Sequence, residues 1–446
     1  MIRRASLLVL AVLPLLIATP AFAIQRAPVA AFADSQTCAT CHDDFVATWS
    51  RSMHAQALTD PIYQYVVRRA KREGGRKLAT FCESCHAPIA VMGRLEPLNQ
   101  NALPPQAVEG VTCDFCHQIS GTSSHLGNAS FKVTPNGTKR AQFDDAHSPA
   151  HRTAYSALHE TSDFCGTCHN VAHPVNGLRL ETTYSEWKSS SYAGNGVFCQ
   201  DCHMTPGPGV TFPNPGAAAI GGPPREHVYT MTFAGGNVGL GDGPRATANL
   251  RAAARIAIDA PAVARSGRDA NVKVVVRNVG AGHDLPTGLT EVRQMWLEIT
   301  ATDRHGTQIA SDRRDFGTVL RDAAGHTGVD VWNAVAVAKD DRIPPGGQVV
   351  EQLAVPPNAP RPITIRARLR YRSAPESLAK AAGVELPTTE MASASATIFE
   401  SDAQRRGESP LLARTVMLVF AVAIVGVIGV RWSRRQKVQP GRITRP

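Results

Sequence analysis

Apolar and polar residues alternate along one half of this chain and show no steady period along the other. Ile363 to Tyr371 alternates with period two, as a half-buried strand does. Met295 to Thr300 does the same and then meets a turn at Asp303-Arg304-His305-Gly306. Val272 to Val279, Val349 to Val355 and Ser393 to Phe399 read as further strands. With Gly, Pro and Asp turns between them, residues 251–400 are expected to form an all-β, immunoglobulin-like antiparallel sandwich. Residues 34–242 predict a mainly α and irregular domain, with short helices among loops. Within it Asp43 to Leu58 lacks Pro and Gly and predicts one helix, and Tyr155 to Phe164 predicts another.

The ends carry unbroken apolar runs. Met1-Ile2-Arg3-Arg4, the apolar stretch Leu7 to Ile17 and Ala21-Phe22-Ala23 have the layout of a secretory signal over residues 1–23, an uncleaved N-terminal anchor being the alternative. Residues 411–430 are uncharged except at Arg414, which can snorkel, and predict one transmembrane helix. Residues 431–446 are basic, with Arg431, Arg434, Arg435, Lys437, Arg442 and Arg445. Positive flanks favour the cytoplasmic face, so the bulk of the chain is expected outside, on the periplasmic side.

Charge adds little. The formal +10 falls to +8 without Arg3 and Arg4, and to +2 without the six cations after Val430. That balance gives no reason to expect a nucleic-acid partner.

The cysteines change the picture. Cys38-Ala39-Thr40-Cys41-His42, Cys82-Glu83-Ser84-Cys85-His86, Cys113-Asp114-Phe115-Cys116-His117, Cys165-Gly166-Thr167-Cys168-His169 and Cys199-Gln200-Asp201-Cys202-His203 are five C-x-x-C-H motifs, and they use all ten cysteines. This spacing attaches haem c: each thiol adds to a vinyl group, and the next residue, His, falls under the iron. Redox dithiols need no following His, zinc sites of four cysteines would pair motifs, and disulfides explain no histidine. Five covalent haems are therefore expected, with His42, His86, His117, His169 and His203 proximal. At about 40 residues per haem, the porphyrins must supply much of the interior.

Ten further histidines remain. His54, His147, His151, His173 and His227 are the candidate distal ligands, and His159 is a weaker one. His125 lies in a Gly/Ser loop and reads as a surface residue. If residues 43–58 are one helix, His54 lies about 18 Å along it from His42 and must serve a different haem. Gly282-His283-Asp284-Leu285-Pro286-Thr287-Gly288 reads as a loop between strands, or as one whose His283 reaches a haem and docks the two domains.

The motif region also carries Trp49-Ser50-Arg51-Ser52-Met53-His54-Ala55 after the first motif, and Tyr184-Ser185-Glu186-Trp187 leading into Cys199-Gln200-Asp201-Cys202-His203-Met204. On these residues the chain, over about 34–240, resembles multihaem cytochromes of the c-552/c-554 family, which includes the electron acceptor of hydroxylamine oxidoreductase. The resemblance implies that the His of the Trp-x-x-Ser-x-His stretch, His54 here, is a distal ligand. It also implies close, partly stacked haems along which electrons hop. Five motifs stand where the tetrahaem member has four, and no C-x-x-C-K marks a nitrite-reductase haem.

Two functions compete. One is an electron conduit between the membrane and unidentified redox partner proteins, with distal histidines closing the irons. The other is an oxidoreductase that converts a small nitrogen or sulfur compound at one five-coordinate haem. A scaffold role, in which the β domain recruits a redox partner, is compatible with the first.

Overall fold

The protein, seen here as a computed structural model, is described over residues 24–407. The expected signal 1–23, the membrane span 411–430 and the basic tail lie outside those residues. Among the described residues no helix is long and apolar enough to cross a membrane.

The motif region is built of short helices that begin at or run through the motifs. Ser35–Ala39 is capped by Asp34, whose side chain accepts from the Thr37 N–H, and Cys113–His117 is capped in the same way by Thr112. Ser162–Gly166 and Gln200–His203 carry parts of the fourth and fifth motifs. The exception to short helices is Pro61–His86, of 26 residues, which ends on the second motif. Its length follows from an inward face of Ile62, Tyr63, Val67, Ala70 and Ala79, while Gly75 at φ 77° breaks its regularity. Tyr63, Val67 and Ala79 join Ala27, Phe32, Leu58, Ile89, Met92, Phe115, Ile119 and Val133 in one core, while Ile62 packs with Ala374 and Ala379. Ala27 and Phe32, which precede residue 34, pack into the same core.

The single helix expected over 43–58 does not form. The helix is Asp43–Trp49, and residues 50–59 are turns. The cause is tertiary. The Val111 N–H donates to the His54 carbonyl at 2.9 Å, and Trp49 Nε1 donates to the Val111 carbonyl at 2.9 Å. The 110–111 segment thus takes backbone groups that a continued helix would need. Gly110, at φ +73°, makes the approach possible, because a Cβ there would lie 2.5 Å from the His54 oxygen. Likewise residues 155–164 hold a 3₁₀ turn at Ala157–Glu160 and the start of the helix Ser162–Gly166 in place of one helix.

The second half is all β. Gln348–Val355, Ala270–Asn278 and Ala254–Asp259 form one antiparallel sheet in that order. Gln308–Phe316, Gln294–Thr302, Ile363–Arg372 and Thr389–Ile398 form a second. Val272, Val274 and Val276 of the first sheet share one buried core with Leu297, Ile299, Ile365 and Leu369 of the second. Every expected strand is present within a residue or a few. Ala254–Asp259 and Gln308–Phe316 were not anticipated. The second reads Gln-Ile-Ala-Ser-Asp-Arg-Arg-Asp-Phe and buries only Phe316, so period-two hydrophobicity could not reveal it.

The two halves are joined by the helix Gly243–Ala253. Its Leu250 and Ala253 enter the β core, while Arg245 Nη2 donates to Thr205 Oγ1 at 3.0 Å. Elsewhere Arg69 pairs with Asp330 at 2.6 Å and lies over the Trp332 ring, and Trp332 Nε1 donates to Glu73 at 2.9 Å. The third junction is polar and buried. Arg342 of the β region bonds Glu186 and lies 3.4 Å from Asp284, with Arg342 and Glu186 only 11% and 7% exposed. Glu186 also accepts from the Asp284 N–H at 3.1 Å and from Thr287 Oγ1 at 2.6 Å. The 282–288 loop is therefore clamped to the motif region.

Candidate functional site

The site begins with how each motif histidine is held. Nδ1 of His42 lies 2.7 Å from the Ala218 carbonyl, that of His86 2.9 Å from Ala57, that of His117 2.7 Å from Arg140, and that of His203 2.7 Å from Ala234. A carbonyl can only accept, so Nδ1 carries the proton in all four and Nε2 keeps its lone pair. His169 achieves the same with a carboxylate, its Nδ1 lying 3.1 Å from Glu181 Oε1. All five rings are thus fixed in the tautomer that binds a metal through Nε2, with the other nitrogen engaged as metal-ligating histidines usually have it.

Opposite four of these rings stands a second imidazole. His42 and His151 have centroids 6.4 Å apart at 25°. His169 and His54 are 6.2 Å apart at 38°, His117 and His159 6.0 Å at 13°, and His203 and His283 6.2 Å at 17°. A metal–nitrogen bond of about 2.0 Å on each side, plus about 1.1 Å from each nitrogen to its ring centre, gives roughly 6.2 Å between centroids. The four separations fit two imidazoles on either side of one iron.

Burial acts in the same direction. It pushes His54 down to about 3, with the charges of His169, His86 and His203 adding to the effect. It pushes His159 and His203 down to about 4. A neutral imidazole is the form that ligates metal. His169 behaves differently: burial lowers it, but the Glu181 hydrogen bond and charge, with nearby thiols, prevail and hold it up at about 9.

The remaining candidates are placed otherwise. His147 is exposed. His173 Nδ1 accepts from the Val175 and Asn176 N–H groups, and its Nε2 lies 3.2 Å from the Trp332 carbonyl, so both nitrogens are used. His227 Nδ1 accepts from the Asn214 N–H at 3.0 Å, which puts the proton on Nε2, the nitrogen a ligand needs bare. The structure thus sets His54 and His151 opposite motif histidines and does not so set His147, His173 or His227. It brings in His159 and His283 as well. Nε2 of His159 lies 3.2 Å from the Cys116 carbonyl of the third motif and its Nδ1 2.9 Å from Ser156 Oγ, so His159 faces His117 with both nitrogens hydrogen-bonded. His86 has no second imidazole opposite it among the described residues. Its ring is stacked face to face on Tyr63 at 3.9 Å and 6°, and the Tyr63 hydroxyl is buried without a hydrogen-bond partner.

The thiols report how the motifs neighbour one another. The Cys38 thiol neighbours that of Cys113, Cys85 that of Cys168 and Cys165 that of Cys199. The first motif therefore abuts the third, the second abuts the fourth, and the fourth abuts the fifth. Haems attached to these thiols would be held with neighbouring edges.

Ten thiols in five C-x-x-C-H motifs, five motif histidines each held at Nδ1 and four rings facing them are groups that suit the binding of haem c. A family model described as cytochrome c554 and c-prime matches residues 37–118. No curated protein matches the chain. The crystal structure of a penta-heme cytochrome c552 from Thermochromatium tepidum shares the fold with a TM-score of 0.63, over 83% of this chain and 100% of that one, at 23% identity. A CARDB domain from Pyrococcus furiosus covers 32% of the chain at 13% identity, and its TM-score of 0.18 carries no argument. Over residues 37–118 the chain is similar to cytochromes of the c554 and c-prime family, and most of it shares the fold of a penta-heme cytochrome c552.

Proposed function

We propose that this cytochrome carries five covalent haems and relays electrons between the membrane and extracytoplasmic redox partner proteins. The observation that carries the reading is the set of four facing histidine pairs at 6.0–6.4 Å. Two protein ligands leave a haem iron no position for substrate, and such a haem exchanges electrons only. His42 with His151, His169 with His54 and His203 with His283 are axial pairs, and His159 completes a fourth with His117 once its Nε2 leaves the Cys116 carbonyl. The thiol contacts order the haems first–third and second–fourth–fifth, and His54, which follows the first motif, ties that motif to the fourth.

The bulk of the chain lies outside the cytoplasm, exported by residues 1–23 and anchored by 411–430. Export agrees with c-type haem attachment, and the basic residues after Val430 agree with a cytoplasmic tail. The domains are a motif region over 34–242, against which residues 24–33 pack, and a β-sandwich over about 251–400, joined by the helix between them.

Pyridine haemochrome analysis with resting-state EPR tests the relay. Five haems with four low-spin ferric signals are expected. A majority of high-spin haems would refute it.

One observation favours a second reading. His86 faces no imidazole among the described residues, so the haem of the second motif is open to a small exogenous ligand. Carbon monoxide titration of the reduced protein is expected to saturate at one equivalent. If none binds, the second reading falls and the relay stands.

A further inference from the structure

Four of the five motif histidines direct Nδ1–H at backbone carbonyls, of Ala218, Ala57, Arg140 and Ala234. His169 alone directs it at a carboxylate, 3.1 Å away on Glu181. That carboxylate is built in. The strand Arg179–Glu181 folds back antiparallel on Val171–Ala172, with Glu181 in register with Val171, two residues beyond His169. The Tyr184 N–H donates to the His169 carbonyl at 3.0 Å, and Gly166 lies so close to the Tyr184 ring that a Cβ there would be 2.7 Å from it. Thr183 Oγ1 reaches Glu181 Oε1 at 3.4 Å. The Glu181 side chain is 15% exposed, while the side chain of His169, which it holds, is 51% exposed.

A carboxylate that accepts the Nδ1 proton gives the imidazole partial imidazolate character and makes it a more basic ligand. A neutral carbonyl in that position does so far less. The more basic ligand, and the negative charge itself, favour the ferric over the ferrous state. No bond breaks. One electron enters or leaves the iron, and the proton stays between Nδ1 and Glu181.

The fourth motif is also where the array branches, because Cys168 touches Cys85 of the second motif and Cys165 touches Cys199 of the fifth. We propose that Glu181 is a positioning residue that gives the haem of His169 the lowest reduction potential of the array, so that the branch point is the last haem to be reduced. An electron then crosses the branch without resting there, and reducing equivalents are held on the arms. This rests on the reading of His169 and His54 as one axial pair.

The test is spectroelectrochemistry of the full-length protein, with EPR following each low-spin signal. H54A identifies the haem concerned, since its signal is the one that variant converts. In the wild type, that same signal is expected to persist to the lowest potential; if another signal persists longer, the proposal is overturned. E181Q keeps an acceptor oxygen without the charge. It is expected to leave all haems attached and to shift the reduction equilibrium of that haem about tenfold toward ferrous, about 59 mV for one electron. E181D, which keeps the charge, is expected to stay near the wild-type value. An E181Q protein with every potential unmoved would also overturn the proposal. If E181Q fails to mature, the wild-type order of reduction still decides. If H54A changes no signal, the axial pairing fails, and that failure is distinct from this one.

Discussion

His203 and His283 face each other at 6.2 Å with ring planes 17° apart, although one belongs to the fifth motif and the other to a loop of the β region. The fifth haem would then take one ligand from each domain. Replacing His283 with Ala leaves every C-x-x-C-H intact, so haem content is expected to stay unchanged. One low-spin signal should become high-spin or water-ligated, and the altered haem should gain affinity for carbon monoxide. An unchanged EPR spectrum would reduce His283 to a loop residue.

His54→Ala makes a parallel prediction with a different address. His54 lies opposite His169, not His42. The variant is expected to convert the haem of the fourth motif and leave that of the first as it was. Combining it with H283A should convert two haems independently, because the two pairs share no member.

Much of this was legible in the sequence, for identifiable reasons. The motifs are local, so five C-x-x-C-H strings fix the thiols and one histidine each. Strands such as Ile363–Arg372 alternate because one face is buried, and that face is visible in the residues themselves. The second axial ligands are set by tertiary placement, which spacing does not encode. The helix expected over 43–58 stops at Trp49, and the fold places the His54 ring opposite His169 of the fourth motif. His227 looked free of any structural task. The fold gives its Nδ1 the Asn214 N–H, a contact 13 residues away that no pattern announces. A signal for His283 did exist: a histidine amid Gly, Asp and Pro in a turn-rich loop has no apolar face to serve.

The domain junction should be costly to open. Arg342 and Glu186 are nearly buried, and removing one partner leaves the other charge unpaired in a desolvated place. R342A is expected to destabilise the docked state by about 3–5 kcal/mol. Thermal unfolding should show a lower first transition, and limited proteolysis should cut faster near residues 243–253. The double variant R342M/E186M, which removes both charges, should recover part of the loss.

Covalent haem content and topology can be read together. Intact mass of the mature protein is expected to match a chain lacking residues 1–23 and carrying five haems. A mass short of five haems in a fully matured sample would sink the count. Truncation before Leu411 should release a soluble, coloured protein into the periplasm. If that product remains with the membrane, the anchor lies elsewhere.

Gly110 touches the array only through its backbone, under the His54 carbonyl. A Cβ at that position has nowhere to go, and a side chain at φ +73° is strained in any case. The His54 ring therefore hangs from a stretch of main chain that tolerates no sideways movement. A mutational survey would be expected to score position 110 alongside the axial histidines, as a colour and potential phenotype, although glycine brings no functional group of its own. Heritable variation in the electronic properties of this cytochrome can thus arise from a residue whose whole contribution is the room it leaves.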